Sequence, residues 1–256
     1  MSINRTVELL LSLGLHGMAE AFKNMDAQVG VHDLKHAEWL TALLECEETL
    51  RKERRFERRA RAAKLRHSIS VENVDKISAR GLDNALFVEL AISDWIRTRH
   101  NLLVTGPCGV GKSWLACALG YRALLDDFSV AYHRTPRLFG ALAAARADGR
   151  YNRMLRAIAR LDLLILDDWG PESLDADQRR DLLEIIEDRY ESRSTIVASQ
   201  LPVDSWYGIV GDPIIADSIL DRLVHNAYRI ELTGESLRSQ KRAGPSLRSL
   251  SFLPAG

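Results

Sequence analysis

A glycine-rich loop between an apolar strand pattern and an apolar helix pattern is the feature that most restricts how this chain can fold. Residues 101–105 read NLLVT, residues 106–113 read GPCGVGKS, and an apolar helical pattern follows. This order of strand, G-x-x-x-x-G-K-S and helix is the context that a phosphate-binding loop requires. The glycines let backbone N–H groups turn towards phosphate oxygens, and the helix adds positive charge at its N-terminus. The loop therefore predicts an α/β nucleotide-binding protein.

The expected ligand of this loop is ATP with Mg²⁺. Lys112 is expected to reach the β- and γ-phosphates, and the Ser113 hydroxyl is expected to bind the metal, which prefers oxygen donors. A chance match in a glycine-rich turn is the alternative, and the flanking strand and helix argue against it. The predicted nucleotide contacts are Gly106, Pro107, Cys108, Gly109, Val110, Gly111, Lys112, Ser113 and Trp114.

Short apolar runs recur after the loop, at residues 129–133, 163–166 and 195–199, with helical patterns between them. Alternation of helices with continuously apolar strands is typical of a mostly parallel sheet covered on both faces. The predicted fold class is α/β, with a parallel sheet sandwiched by helices and a small all-helical domain before it.

Two aspartates follow the apolar run LLIL at residues 163–166. A buried strand of a parallel sheet presents its carboxyl end to the ligand edge. Asp167 is therefore expected to hold Mg²⁺ through water or Ser113, and Asp168 is expected to act as general base on the attacking water. The alternative is an exposed turn in which the two carboxylates only end the strand.

Three further polar residues are candidates for sensing or stabilising the γ-phosphate. Gln200 follows the apolar run at 195–199, Arg222 follows an apolar helical pattern, and Arg238 comes shortly after. An arginine supplied by a neighbouring subunit can offset transition-state charge and make hydrolysis depend on assembly. Taken alone, Gln200 would be an ordinary turn residue and each arginine a surface ion-pair residue.

The N-terminal region is predicted to be a separate helical domain. Apolar residues at helical spacing predict one amphipathic helix over 5–25, weakened by Gly14 and Gly17, and a second over 34–65. The expected domains are a helical domain at 1–67, a linker at 68–80, an ATPase domain at 81–238 and a disordered tail at 239–256, because the tail is rich in Ser, Pro and Gly.

Two arginine-rich segments are candidates for contacts to duplex DNA. Between Arg51 and Arg66 nine Lys or Arg residues stand against two Glu, a balance of 9 − 2 = +7. Such a helix suits sequence-tolerant phosphate contacts, although a solvated charged helix is the alternative. The candidates there are Arg51, Lys52, Arg54, Arg55, Arg58, Arg59 and Arg61. A second group shares one face if the helix continues past Gly149: Arg146, Arg150, Arg153, Arg156 and Arg160.

The composition indicates a globular protein without disulfides. Hydrophobic residues make up 46% of the chain and charged residues 27%, with a net charge of +0. The three cysteines, Cys46, Cys108 and Cys117, show neither paired nor metal-ligand spacing. Because no apolar run approaches the ~20 residues of a membrane span, we expect a cytoplasmic protein without membrane contact.

The order GPCGVGKS, LLILDD, IVASQLP, DRL and GESLR resembles the AAA+ branch that contains the DnaC helicase loader and the IstB transposition helper. The segments ELLLSLGLHGMAEAF and RYESRSTIVASQLPVDSWYG resemble IstB specifically, and the resemblance covers about residues 3–240. It implies an AAA+ fold and an ATP-dependent, DNA-binding regulator that forms homo-oligomers and works beside the transposase of an insertion sequence.

The resemblance also implies roles for single residues. Lys112 and Ser113 would contact nucleotide and metal, and Asp167 would be the metal-side carboxylate. Gln200 would be the first sensor, Arg222 the arginine finger and Arg238 the second sensor. The wider AAA+ class typically has Glu where this chain has Asp168, which is one methylene shorter. Since a base displaced by ~1 Å can lose about a hundredfold in rate, slow hydrolysis is expected.

Four functions remain open from the sequence. The leading interpretation is an ATPase that assembles on DNA and recruits or stimulates a transposase. The same core would serve a helicase loader, and Asp168 would suit a nucleotide-gated DNA scaffold with negligible hydrolysis. Phosphate loops also occur in small-molecule kinases, but no segment reads as an acceptor-substrate lid.

Overall fold

The computed structural model describes residues 2–26, 35–66, 81–170, 172–234 and 236. The chain divides into two compact units between Arg61 and Ala62. The sequence predicts that the helical N-terminal domain ends at residue 67, whereas the structure assigns residues 62–66 to the second unit. The predicted linker at 68–80 lies outside the described residues, as does the predicted tail at 239–256. Within the described ranges, no helix is long and apolar enough to cross a membrane.

The first unit consists of three helices: α1 (Ser2–Ser12), α2 (His16–Asp26) and α3 (His36–Ala63). The prediction of one continuous helix over 5–25 is wrong, because the chain breaks around Gly14, which has a φ of 73°. The small core joins α2 to α3 through Met18, Phe22 and Leu43, and Phe22 meets Trp39 edge-on at 5.8 Å. The prediction of an all-helical N-terminal region is confirmed for the described residues.

The start of α2 lies directly against α3. A Cβ at Gly17 would come within 2.7 Å of the Cys46 carbonyl oxygen and the Glu47 Cα, so only glycine allows this approach. The buried Glu47 carboxylate accepts N–H bonds from Gly17 at 2.6 Å and Met18 at 3.2 Å, and Arg51 donates to it at 2.7 Å. Glu47 therefore satisfies N–H groups that the helix start leaves without partners.

The second unit is built on a five-stranded parallel sheet. Its strands are β1 (Asn101–Thr105), β2 (Val130–Arg134), β3 (Leu163–Trp169), β4 (Ser194–Ser199) and β5 (Ala227–Glu231), in the spatial order β2-β3-β4-β1-β5. Four of these strands are the apolar runs identified in the sequence, and β5 was not predicted. Because the strands are parallel, their carboxyl ends lie at the same edge of the sheet, and so do the loops that follow β1, β3 and β4.

The helices of this unit are α4 (Asn84–Ala91), α5 (Asp94–Arg97), α6 (Lys112–Leu125), α7 (Thr135–Ala147), α8 (Tyr151–Ala159), α9 (Ala176–Arg189), α10 (Trp206–Val210) and α11 (Pro213–Val224). On one sheet face Leu164 and Leu166 join a buried cluster with residues of α7 to α11. On the other face Ile165 contacts α6, where a Cβ at Gly120 would lie 2.8 Å from its side chain. The predicted sheet between two helical layers is therefore confirmed, and burial on both faces explains the continuously apolar strands.

Candidate nucleotide-binding site

The glycine-rich loop joins the end of β1 to the start of α6. Its glycines Gly106, Gly109 and Gly111 have φ angles of 138°, 85° and 113°, which residues with a Cβ rarely adopt. The buried Lys112 ammonium donates to the carbonyl oxygens of Gly106 at 2.5 Å and Pro107 at 2.7 Å. Because α6 begins at Lys112, the N–H groups of its first turn have no carbonyl partners within the helix.

The segment after β5 packs against this loop. A Cβ at Gly109 would lie 2.0 Å from the Ser236 hydroxyl oxygen, and one at Gly106 would lie 2.1 Å from the Leu232 carbonyl oxygen. Ser236 belongs to the GESLR motif, in which the sequence prediction had singled out only Arg238. Arg238 itself lies outside the described residues.

Asp167 is buried, and one side chain of β2 and one of α7 donate hydrogen bonds to it. It is 1% exposed, and the Tyr132 hydroxyl donates to one of its oxygens at 2.5 Å. Thr135 Oγ1 donates to its backbone carbonyl oxygen at 3.1 Å. Burial and the neighbouring carboxylate raise the pKa of Tyr132, so the phenol keeps its proton and remains a donor. The expected metal carboxylate is thus fixed in orientation before any metal binds.

Asp168 lies on the same strand but in a different environment. Its φ of 57° is left-handed, and the pairing of β3 with β4 shifts between Leu166 and Trp169. This irregularity leaves the Asp168 side chain 24% exposed, and Arg134 at the end of β2 forms an ion pair with it. The hydrogen bond to Asp168 is the largest cause that raises the pKa of Arg134. The expected general base is therefore engaged by a cation.

Gln200 lies where the loop and the two aspartates converge. It is exposed and directly follows Ser199, which is in register with Thr105 of β1 on one side and Trp169 of β3 on the other. The Ser199 hydroxyl donates to the Trp169 carbonyl oxygen at 2.9 Å, which ties the two strand ends together. The sheet order therefore brings the loop, Asp167, Asp168 and Gln200 to one edge.

Arg222 is at the opposite edge of the sheet. The side chain of Asn101, the first residue of β1, donates to the backbone carbonyl oxygens of Arg222 and Leu223, whereas the glycine-rich loop follows the other end of β1. The five residues of β1 separate the two ends by about 13 Å at ~3.3 Å per step. The Arg222 side chain bonds Ser218 at 2.6 Å and forms an ion pair with Glu187 at 3.3 Å. It does not reach the loop of its own chain.

A basic cleft of ≈ 340 Å³ surrounds Arg222. Three further arginines and a histidine line it, Arg99, Arg189, Arg193 and His225, together with one carboxylate, that of Glu191. Arg189 is buried and donates to backbone carbonyl oxygens, and its burial lowers its pKa to about 9. The cleft therefore carries more basic than acidic side chains.

The predicted DNA contacts on α3 are partly engaged with acidic neighbours. Arg51, Lys52 and Arg61 each form an ion pair with a glutamate one turn earlier. Arg54 and Arg58 are exposed, one turn apart on the same face. Arg55 and Arg59, which complete the predicted set on this helix, are half-buried.

The second arginine group does not share one helix. Gly149 has a φ of 76°, and it separates α7 from α8. Arg146 forms an ion pair with Asp181, and Arg150 with Asp148. The remaining three arginines are exposed, and none has an ion pair within the described residues: Arg153 and Arg156 on α8, and Arg160 directly after its last residue. These three are called the arginines of α8 below, and the helix buries Leu155 and Ile158 instead.

Sequence reasoning missed Tyr132, Arg134 and Ser236. The first two lie on β2, and only the pairing of β2 with β3, in which Arg134 aligns with Asp167, brings them to the site. Ser236 is two residues from the predicted sensor Arg238, but its contact with the loop requires the unpredicted strand β5. No pattern in the sequence indicates these contacts.

The donor set fits ATP with a divalent cation. Lys112 and the glycine-rich loop offer positive charge and N–H donors to phosphates. The hydroxyl of Ser113 and the carboxylate of Asp167 are hard oxygen ligands of the kind that Mg²⁺ prefers. When bound, the cation would neutralise phosphate charge; the orientation of its carboxylate is already set by Tyr132.

Solved structures with similar folds support the architecture. The crystal structure of DnaI matches with a TM-score of 0.53 and 23% identity, over 65% of this chain and 92% of that one. The replication initiator DnaA bound to AMPPCP and single-stranded DNA matches with a TM-score of 0.53 and 20% identity, over 66% of this chain and 51% of that one. At these identities the match concerns the fold alone, and it agrees with the predicted AAA+ core.

Similar sequences come from insertion sequences. The chain is 55% identical over 242 residues to an insertion-sequence ATP-binding protein of Sinorhizobium fredii, covering 94% of this chain and 99% of that one. It is 47% identical over 203 residues to the ATP-binding protein of insertion sequence IS1162 of Pseudomonas fluorescens, covering 79% and 88%. The family model described as IstB-like ATP binding protein matches residues 8–244. The glycine-rich loop, the paired aspartates and these similarities together show that the chain belongs to the IstB-like ATP-binding proteins of insertion sequences.

Proposed function

We propose that this chain hydrolyses ATP slowly as part of a homo-oligomer on duplex DNA, and that the assembly recruits or stimulates the transposase of its insertion sequence. One observation carries the proposal. Lys112, Asp167 and Asp168 lie at the carboxyl edge of the sheet, whereas Arg222 lies at the opposite edge, next to the start of β1. Arg222 of one subunit is therefore remote from its own loop, and a neighbouring subunit could supply its Arg222 to that loop.

The chemistry of hydrolysis would be divided among these residues. Lys112 and the loop N–H groups would hold the phosphates, and Ser113 with Asp167 would hold Mg²⁺. Asp168 would accept a proton from the attacking water, and Gln200 would contact the γ-phosphate side of the site. Arg222, with the basic cleft around it, would offset the charge that develops on the transferred phosphoryl group of the adjacent subunit.

DNA contact would come from the exposed arginines of α8 together with those of α3. Arg153, Arg156 and Arg160 have no ion pair within the described residues, so they could contact phosphates without first breaking one. Arg54 and Arg58 on α3 are equally exposed. Such contacts give affinity that falls with salt and depends little on sequence.

A second candidate is a nucleotide-gated DNA scaffold with negligible hydrolysis. The ion pair between Arg134 and Asp168 favours it, because a carboxylate that accepts bonds from a guanidinium cannot accept a proton from water with the same lone pairs. In this case ATP binding alone would drive assembly. Single-turnover hydrolysis in the assembled state distinguishes the two candidates.

The test is assembly with and without nucleotide. Size-exclusion chromatography with light scattering would be run on the full chain with ATP, Mg²⁺ and duplex DNA, and then repeated with Lys112→Ala and with Lys23→Ala as a control at an exposed lysine. We expect multimers on DNA for the wild type and the control, and none for Lys112→Ala. A wild-type chain that remains monomeric under these conditions would refute the proposal.

The role beside a transposase needs its own measurement. Strand transfer by the transposase encoded in the same element would be assayed with and without this chain, and stimulation that requires ATP is the expected result. Co-purification with a replicative helicase and no effect on strand transfer would instead favour a helicase loader.

A further inference from the structure

A groove along α11 is outside the nucleotide site. It has a volume of ≈ 1060 Å³ and runs between α11, the 3-10 turn at Val203–Ser205 and α10, with Arg229 of β5 at its side. Two of its apolar side chains are exposed to solvent. Ile214 is 82% exposed, more than any other large hydrophobic residue of the described chain, and Tyr207 is 41% exposed. Exposed apolar surface of this kind is typical of an interaction site.

Three aspartates line the same groove: Asp204, Asp217 and Asp221. Asp217 and Asp221 are one turn apart on α11, and like charges at this spacing destabilise a helix. None of the three has an ion pair within the described residues. Arg229 and His225 lie beside them, but neither forms an ion pair with them. Carboxylates that lie in one groove without an ion pair favour a cationic partner. The exposed apolar residues favour a partner that also has apolar side chains.

We propose that the C-terminal segment of the chain, residues 239–256, docks in this groove. The segment contains Lys241, Arg242 and Arg248 and neither Asp nor Glu, so three cations would face three aspartates. It also contains four large apolar residues that could cover Ile214 and Tyr207: Leu247, Leu250, Phe252 and Leu253. Both the charge and the apolar character of the groove are therefore matched within the same chain.

The length of the segment allows this contact. The described chain leaves β5, which lines the groove at Arg229, and reaches Ser236 beside the glycine-rich loop. Twenty residues follow Ser236 and can span up to about 66 Å at ~3.3 Å each. The twelve residues of α11 are about 18 Å long. The segment can reach the groove of its own chain or of a neighbouring copy, and in either arrangement the interaction does not depend on hydrolysis.

Photo-crosslinking in the full-length chain tests the proposal. Ile214 would be replaced by the photoreactive amino acid p-benzoylphenylalanine, the chain irradiated, and the crosslinked peptides identified by mass spectrometry. We expect crosslinks to residues 239–256, within one chain if the band keeps monomer mobility and between chains if it moves to dimer mobility. The matched control carries the probe at Val88 of α4, which is 61% exposed and distant in sequence from the groove. It should give no crosslink to this segment.

Charge reversal supplies the second measurement. Asp217→Lys combined with Asp221→Lys should reduce the crosslink yield from Ile214 at least several-fold, and 1 M salt should reduce it as well, because the attraction between exposed charges is screened. Circular dichroism would verify that α11 still folds. Crosslinks from Ile214 that map only to other segments, or a yield unchanged by both aspartate substitutions, would overturn the proposal. Crosslinks to an added transposase in place of the segment would also overturn it.

Discussion

Arg134 on β2 donates a hydrogen bond from Nε to a carboxylate oxygen of Asp168 on β3, at 2.6 Å. The guanidinium approaches from the strand next to the one that carries the aspartate, and it is 42% exposed at the side chain. A ligand with negative charge could therefore compete for Arg134 without any change in the buried sheet. The pair places a restraint on the residue expected to activate water.

Arg134→Ala should raise DNA-independent ATP hydrolysis, by an amount of at most about tenfold, since a free carboxylate accepts a proton more readily than one engaged by a cation. ATP binding should not change. Steady-state phosphate release without DNA measures the rate, and Arg137→Ala, an exposed arginine three positions further along the chain, is the control. A rate that falls for Arg134→Ala would mean that the arginine positions Asp168 productively.

Tyr132→Phe should raise the Mg²⁺ concentration that nucleotide binding requires. Removing a partner that orients a metal ligand typically costs 10–100-fold in metal affinity, and the Tyr132 hydroxyl is the side-chain donor to the buried Asp167. We expect the Mg²⁺ concentration at half-maximal binding of a fluorescent ATP analogue to rise about tenfold. Tyr207→Phe, whose hydroxyl makes a long 3.3 Å bond to Pro213, serves as control.

The sequence was sufficient to predict the loop, four strands and the two aspartates, because each is a local pattern with a strict physical requirement. It did not predict β5 (Ala227–Glu231), in which only Ile230 is buried, so the strand has no continuous apolar run. Nor could it show that Tyr132 and Arg134 meet the aspartates, since this depends on the register of β2 with β3. The sequence predicted one helix across Gly14, because apolar residues continue at helical spacing on both sides of it. The structure has two helices there, Ser2–Ser12 and His16–Asp26.

The arginines of α8 should account for part of the DNA affinity. Replacement of Arg153, Arg156 and Arg160 by glutamine should weaken binding to duplexes of any sequence and reduce the slope of log affinity against log salt by up to about 0.9 per lost phosphate contact. Fluorescence anisotropy at several salt concentrations measures both effects. The control is Arg180→Gln, an exposed arginine on α9 that is already paired with Asp177. Equal salt slopes for the triple variant and the wild type would exclude α8 from the DNA interface.

The N-terminal unit should lose stability in acid through Glu47. Burial raises the pKa of this carboxyl, but the N–H groups of Met18 and Gly17 and the side chain of Arg51 outweigh burial and hold its pKa below the usual 4.5. A lowered folded-state pKa means that the stabilisation is complete above pH 4.5 and is lost as the pH falls through the lower folded value. Thermal unfolding followed by circular dichroism between pH 7 and pH 3 should show this decline.

Glu47→Gln provides the matched comparison. At neutral pH it should cost about 1–3 kcal/mol, because a buried charged acceptor of helix N–H groups is replaced by a neutral one. Its stability should then change less than that of the wild type below pH 4.5. Glu48→Gln, at the exposed neighbouring position, should behave like the wild type. A Glu47→Gln variant with the wild-type acid profile would show that other groups cause the decline.

Arg222 should act on the nucleotide of a neighbouring subunit. Arg222→Ala leaves the loop of its own chain intact but removes the cation at the opposite edge of the sheet. Lys112→Ala impairs the loop but keeps Arg222. If the arginine acts between subunits, each variant alone should be nearly inactive on DNA, by a factor of about 10³ or more for the arginine. Lys112→Ala should not assemble alone, but a mixture of the two should recover activity, because its intact Arg222 can meet the nucleotide-filled loop of an Arg222→Ala subunit. Arg229→Ala, which removes another exposed arginine after α11, should keep wild-type activity. A mixture that shows only the sum of the two separate rates would mean that Arg222 serves its own subunit, through Glu187 and Ser218, and that assembly controls hydrolysis by another contact.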